Sequence, residues 1–382
     1  MKTLTFKIQD REFLIPAESL TESSFEVQSF LRPYKVTIQE RIDAVLETLL
    51  KESRKTLLLI DKKVHAHYGH LFSAISPDDV LLAEATEEFK GVQGALQVLD
   101  FLVERELSKG DTLLVVGGGI IQDVGAFVGA VYKRGIDWVF FPTTLLAMAD
   151  SCIGAKAGIN YRGAKNQLAL FSAPSQVFLY LPFLQTLRTE DIKSGLGEIA
   201  KLHIIGGREM FNAYTSAVGR NEVPTLSMLR EFIGGSLAVK KVVIEADEFE
   251  RNYRKGLNYG HTLGHAIEAL SNYAISHGQA VVLGMLFVNE LAQRRKVLGP
   301  DEHAELQKFL RGFIDEPLKE KVRALPVDDL GLILQKDKKA AGNQLTFIMP
   351  RSVGDMVFVP LRLDSALLQE LRDIINHMVM WL

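Results

Sequence analysis

Three histidines and one carboxylate offer the most distinctive chemistry in this sequence. His261 and His265 are four residues apart, so on a helix their rings share one face. His277 lies farther on, just before Gly278. Neutral imidazole is the commonest protein ligand for zinc, and Glu198 upstream can supply an oxygen. Spacing alone favours His261 and His265 as the metal pair. Thr-Leu-Gly separates them, without a glutamate, so the H-E-x-x-H pattern of zinc proteases is absent. Glu198 and Lys201 fall on one face of a helix, which reads most simply as a surface ion pair. Gly195 and Gly197 weaken that reading, because glycine costs helix stability and suggests close approach of another element.

Other residues suit anionic or nucleotide ligands. Gly117-Gly118-Gly119 follows a strand and opens a helix, where backbone N–H groups and the helix dipole favour a phosphate. The full G-x-G-x-x-G pattern would need glycine at 122, where Gln122 stands. Asp61 at a strand end either accepts hydrogen bonds from a ribose or caps a helix. Thr143 and Thr144 after Pro142 either line the ligand crevice of a parallel sheet or cap the next helix. Asp150, Lys156, Lys165 and Asn166 place both signs of charge in a segment with little helix or strand signal. That composition suits a polyhydroxylated anion or plain solvated surface. Cys152 has no visible general base nearby and reads better as a small filler than as a nucleophile. Lys240, Arg254 and Lys255 could bind a carboxylate or phosphate.

The elements that must hold these groups divide the chain near Pro182 to Thr189. Before it, Thr56–Asp61, Thr112–Val116 and Trp138–Phe141 read as buried strands, and Gly91–Leu107 and Ile120–Tyr132 as helices. Strand, glycine turn, helix, strand is a βαβ unit with a parallel sheet. Phe25–Phe30 and Tyr34–Ile38 alternate like a hairpin, and Ile38–Lys51 reads as a helix. After the boundary, helices are expected over Glu190–Ile205, Leu226–Glu248, Gly260–Tyr273 and Ala280–Lys296, with more to about Leu334. A hairpin is expected at Leu345–Met349 and Met356–Val359, and a last helix from Ser365. The expected organisation is an α/β domain over 1–187 and a mainly α-helical domain over 188–382.

Bulk properties narrow the class. The chain has 382 residues, 47% of them hydrophobic and 24% charged, as in an ordinary globular protein. A net charge of −3 without a long basic run points away from nucleic acid. No apolar segment suits a signal peptide or a membrane span. Cys152 is the only cysteine, which rules out an intrachain disulfide and fits a reducing cytoplasm.

Taken together, these segments resemble the sugar phosphate cyclases, the family of 3-dehydroquinate synthase. The resemblance rests on Gly117-Gly-Gly-Ile-Ile-Gln-Asp123, Tyr132-Lys-Arg-Gly135, Pro142-Thr-Thr-Leu-Leu146 and Asp150 to Asn166. It continues with Ser194-Gly-Leu-Gly-Glu-Ile-Ala-Lys201, Leu257 to Glu268, His277-Gly278 and Asp337-Lys-Lys339. It implies an NAD-binding α/β domain with a parallel sheet, a helical metal-binding domain, an active site in the cleft between them, and a homodimer. It also splits the histidine pair. Glu198, His261 and His277 match the ligands of zinc or cobalt, and His265 matches a contact to the substrate phosphate.

By the same resemblance, Asp150, Lys156, Lys165, Asn166, Lys201 and Lys339 match substrate positions, and Arg134 an arginine lent across a dimer. Asp61, Glu87, Lys90, Gly118, Gly119, Ile120, Ile121, Gln122, Asp123, Thr143, Thr144, Lys156, Lys165 and Thr186 match the cofactor region. The implied reaction uses NAD reduced and reoxidised within one turnover, phosphate elimination, and an intramolecular aldol closure. Lys240, Arg254 and Asn258 match carboxylate anchors, which with His265 favours 3-deoxy-arabino-heptulosonate 7-phosphate as substrate. Gln122, Ala155 and Asn166-Gln167-Leu168 depart toward secondary-metabolism branches, which use sedoheptulose 7-phosphate or an aminated substrate. A metal-dependent polyol dehydrogenase shares the two-domain plan, but its neutral substrate gives the lysines no phosphate to bind.

Overall fold

The computed structural model describes residues 2–218, 224–338 and 344–381. They pack as two compact units: residues 21–188 form one, and residues 1–20 join 189–382 in the other. The chain opens with β1 (Thr3–Ile8) and β2 (Arg11–Pro16), an antiparallel hairpin.

The 21–188 unit runs β3 (Ser24–Val27), β4 (Tyr34–Gln39), α1 (Asp43–Glu52), β5 (Thr56–Asp61), α2 (Lys62–Tyr68), β6 (Val80–Ala83) and α3 (Val92–Glu104). It continues with β7 (Thr112–Gly117), α4 (Gly119–Val131), β8 (Asp137–Pro142), β9 (Lys156–Tyr161), β10 (Ala164–Phe171) and β11 (Gln176–Tyr180). Seven of these strands form one sheet in the order β3-β4-β11-β8-β7-β5-β6. All its pairings are parallel except that of edge strand β3 with β4. Leu57–Ile60 and Leu113–Val116 are fully buried, as continuous apolar runs must be when helices cover both faces of a sheet.

Three details differ from the sequence reading. β4 runs on to Gln39, and α1 starts only at Asp43, because Val36 and Ile38 are spent pairing with β11. β6 and β11 are additional short strands. The segment around residues 156–171 is a two-stranded hairpin, β9 with β10, rather than a loop. Most β10 side chains are exposed, so no alternation of apolar residues marked it.

The other unit continues with α5 (Thr189–Ile205), α6 (Arg208–Ala217), α7 (Leu226–Ala246), α8 (His261–Leu270), α9 (His277–Arg294), α10 (Pro300–Arg311), α11 (Glu316–Arg323) and α12 (Leu330–Lys338). The hairpin β12 (Gln344–Ser352) and β13 (Asp355–Arg362) and the helix α13 (Ser365–Trp381) complete it. α9 is buried almost all round from Gly278 to Ala292, which marks it as the central helix of the bundle. β1 pairs in parallel with β13, giving a four-stranded sheet in the order β12-β13-β1-β2. This pairing corrects the expected 1–187 domain: residues 1–20 pack with the helical unit, through partners more than 300 residues away in sequence. No helix among the described residues is long and apolar enough to cross a membrane.

Candidate active site

Glycines set the geometry of the histidine cluster. α5 and α9 touch backbone to backbone where Gly197 meets Gly278. A Cβ on Gly197 would lie 2.7 Å from the Gly278 carbonyl carbon, and one on Gly278 would lie 2.6 Å from that of Ser194. The Gly278 N–H donates to Ser194 Oγ (3.1 Å) at the same crossing. α8 and α9 meet in a similar way, with a Cβ on Gly264 3.2 Å from Val281 Cα and one on Gly284 2.8 Å from the Gly264 nitrogen. Gly260 precedes α8 at φ +80, a conformation that favours glycine. Glu198 on α5 therefore faces His277 at the start of α9 and His261 at the start of α8. The close approach inferred from Gly197 is explained by Gly278.

Glu198 is completely buried. Its Oε1 lies 3.1 Å from His277 Nε2 and 3.4 Å from His261 Nε2. Its Oε2 pairs with Lys201 Nζ, so the expected surface ion pair is a buried one. The ring nitrogens of His261, His265 and His277 converge within 4.8 Å of one another. Both readings of the cluster thus share one place: the His261–His265 pair from spacing, and the Glu198, His261 and His277 set from resemblance. His265 is the exposed member.

The electrostatics fit a divalent cation. Burial penalises the Glu198 charge, but Lys201, His261 and His277 outweigh it and hold the carboxyl well below its usual range. Neither Glu198 oxygen has a well-formed hydrogen bond among the described residues. Burial, reinforced by the Lys201 charge, pushes His261 down, so its imidazole stays neutral and able to ligate. Burial also opposes charge on His277, yet Glu198 and Glu268 push it up to about 10. Two carboxylates thus draw positive charge onto the His277 ring between them, and a metal on its Nε2 side, beside Glu198, would supply that charge. His277 Nδ1 lies 3.0 Å from Glu268 Oε2, and His261 Nδ1 lies 3.2 Å from the Tyr259 carbonyl. Each ring is oriented through Nδ1 so that Nε2 faces Glu198. Glu268 was not among the candidate residues. Its spacing held the signal, since residues 261, 265 and 268 are a helical i, i+4, i+7 stripe. Two imidazoles and a carboxylate suit zinc or cobalt.

The candidate carboxylate anchors lie in the same unit. Arg254 is buried in the turn over Tyr253–Asn258 and donates to the Glu248 carbonyl. Asp247 organises that turn by accepting the N–H groups of Arg251, Asn252 and Arg254. The Asn258 amide donates to Glu250 (2.5 Å), and Lys240 is buried on α7. Lys339 lies outside the described residues.

In the 21–188 unit several of the cofactor candidates stand at or beside the N-terminal part of α4. A Cβ on Gly118 would lie 2.8 Å from Thr144 Cγ2, while one on Gly119 would meet nothing within 4 Å. Packing therefore explains glycine at 118 but leaves open space at 119, a cradle that a side chain would fill and a phosphate can approach. Lys90 pairs with Asp123 (2.6 Å), Asp123 accepts from the Gly158 N–H (3.2 Å), and burial pushes the Asp123 carboxyl up. Glu87 pairs with Lys165 (3.2 Å) and accepts from the Asn160 amide (2.7 Å). Asp61 accepts from the Lys63 N–H (2.8 Å), and Thr144 Oγ1 from the Ala147 N–H (3.2 Å), so both serve as helix caps. Thr143 is buried, while Thr186 is exposed and donates to the Phe183 carbonyl. Ile120 and Ile121 lie in the first turn of α4, and Arg134 is exposed beyond its end. Asp150 occupies a π-type turn over Ala147–Ser151. Ala155 adopts φ +56, which explains glycine as the easier residue there. Buried Cys152 donates its thiol to the Met148 carbonyl, as a packed filler does.

Comparison with known proteins identifies the family. The family description "3-dehydroquinate synthase N-terminal" matches residues 80–194, and "3-dehydroquinate synthase C-terminal" matches residues 195–340. The chain belongs to the 3-dehydroquinate synthase family. Within it, the chain is 32% identical to a 3-dehydroquinate synthase of Streptococcus equi subsp. equi, over 92% of this chain and 99% of that one. It is 31% identical to a 2-epi-valiolone synthase of Actinosynnema mirum, over 85% of this chain and 87% of the other. A solved 2-deoxy-scyllo-inosose synthase, complexed with carbaglucose-6-phosphate, NAD+ and Co2+, shares the fold at TM-score 0.82 and 22% identity. That match covers 93% of this chain and 99% of the other.

Proposed function

We propose that this protein is a sugar phosphate cyclase that converts 3-deoxy-arabino-heptulosonate 7-phosphate to 3-dehydroquinate, with NAD and zinc or cobalt as cofactors. The observation that carries the reading is the convergence of Glu198, His261 and His277 beside buried Lys201, in a chain of this family. The bound groups supply a Lewis acid and a reversible hydride acceptor. Glu198, His261 and His277 hold the metal, and Glu268 orients His277. Gly118 to Ile121 and Asp123, with Thr143 and Thr144, hold the cofactor.

The remaining residues bind and orient the substrate. Lys156, Lys165, His265 and Arg134 neutralise the departing phosphate, Arg134 being lent to a second protomer in a homodimer. Asp150 and Asn166 position ring hydroxyls, as does Lys339 by its match to the family pattern. Lys240, Arg254 and Asn258 hold the carboxylate. The 254 guanidinium is buried, and a buried cation stays only where an anion or a full set of acceptors meets it. The location that suits this work is the cytoplasm.

A second substrate reading has specific support. The 31% identity to a 2-epi-valiolone synthase, together with Ala155 at positive φ, favours a secondary-metabolism cyclase that takes sedoheptulose 7-phosphate or an aminated acid. Phosphate release from each sugar phosphate, with products identified by mass spectrometry, tests both. Turnover of the heptulosonate alone supports the proposal, and turnover of sedoheptulose 7-phosphate alone overturns the acid substrate. Net NADH accumulation from a polyol, without phosphate release, would overturn the cyclase itself.

A further inference from the structure

Gln122 stands in the first turn of α4, one turn from the open cradle at Gly119, but its side chain points elsewhere. It is buried, and both ends of its amide are taken by one residue. Nε2 donates to the Ser151 carbonyl (2.6 Å), and Oε1 accepts from the Ser151 hydroxyl (2.5 Å). Ser151 closes the π-type turn that carries Asp150. The next residue on α4, Asp123, accepts from the Gly158 N–H on β9, the strand that begins at Lys156. Two consecutive helical residues thus tie down the backbone on either side of the 152–157 segment. That segment needs tying: Gly154 and Ala155 both lie at positive φ, and the π-type turn just before it is a rare conformation. Glycine at 122 would leave the Ser151 carbonyl and hydroxyl without this partner.

We infer that Gln122 is a positioning residue, which locks the Asp150 turn to the helix bearing the cofactor glycines. It acts on the ligand through Asp150 and not by touching the cofactor. The inference rests on the proposed function for the role of Asp150; the clamp itself rests on the two hydrogen bonds.

The test uses Gln122→Met, which keeps side-chain length and volume but neither hydrogen bond, in the metal- and NAD-loaded enzyme. Amide hydrogen exchange over residues 147–153 should accelerate about ten-fold. The kcat should fall about ten-fold while KM for the sugar phosphate changes less than about two-fold, because the lost element is alignment rather than affinity. Ser151→Ala keeps the main-chain bond and should accelerate exchange only about three-fold; it also keeps the test open if Gln122→Met fails to fold. The double variant should be no worse than Gln122→Met. Unchanged exchange in both single variants overturns the clamp. Faster exchange with unchanged kcat overturns its role in positioning. Exchange needs no substrate, so an inactive wild type would refute the assigned reaction and leave the clamp to be judged separately.

Discussion

Glu198 sits fully buried where α5 and α9 cross, while Lys165 and Asn166 stand on β10, most of whose side chains face solvent. Both regions hold residues assigned to one reaction, but they are built by different means. The proposed metal ligands are fixed by backbone contacts at Gly197, Gly264, Gly278 and Gly284, which leave the helices little room to shift. The hairpin is tied near the start of β9, by Asp123 at Gly158 and by Gln122 at Ser151 just before the strand, and its charges are held by partly exposed ion pairs such as Lys165–Glu87. A site that must present fixed donors to a small ion gains from rigid packing. A surface proposed to meet a highly charged sugar phosphate gains from side chains able to exchange partners.

The sharpest way to break this contrast is at the ligands. His277→Ala should lose bound metal and activity together, the latter by about 1,000-fold or more. Elemental analysis alongside phosphate release checks it, and full metal content in the variant refutes the ligand assignment. The packing claim comes next. Gly278→Ala drives a methyl into the Ser194 backbone and should cost about 3 kcal/mol or more of stability, read by chemical unfolding. An alanine variant as stable as wild type would show that the helix crossing is not close-packed.

On the hairpin the pattern should invert. Lys165→Ala should raise KM for the sugar phosphate about ten-fold and leave the melting temperature within about 2 °C, since an exposed ion pair contributes under about 1 kcal/mol. Strong destabilisation would place the hairpin with the rigid class.

The smallest effect concerns His203, also buried on α5 but without a carboxylate partner among the described residues. It stacks on Tyr214 with ring centroids 4.7 Å apart, its Nδ1 lies 2.8 Å from the Ile199 carbonyl, and burial pushes it down to about 4. Below its ordinary value near 6.5 the unfolded chain takes up a proton that the folded chain refuses. Its contribution is therefore complete above about pH 6.5 and falls as the pH drops toward 4. The loss should be about 2 kcal/mol at pH 5. Comparing unfolding at pH 7.5 and pH 5 in wild type and His203→Gln isolates it, and equal pH differences in the two proteins would refute it.

Legibility varied with the range of the interaction. The parallel strands β5, β7 and β8 and the helices α5, α7, α8 and α9 were readable because each carries its own apolar pattern. β1 and β2 could not be placed, because their partner β13 is more than 300 residues away. β10 was missed because its faces are almost equally wet. In the site, residue types were visible and partners were not. Glu198–Lys201 read as a surface pair until α9 covered it, Glu268 had no stated task until His277 came beside it, and Gln122 was only a departure from a glycine pattern until Ser151 met it.

The sequence by itself determined the chemistry available: three histidines, a glutamate, a glycine turn ahead of a helix, and lysines with an arginine for anions. It did so because ligand type, charge and local period are properties of residues and short segments. Only the tertiary structure decided which of these groups meet. Approach of α5, α8 and α9 depends on the absence of Cβ atoms at positions far apart in sequence, as at Gly197 and Gly278, which are 81 residues apart, and no local pattern encodes such a distance.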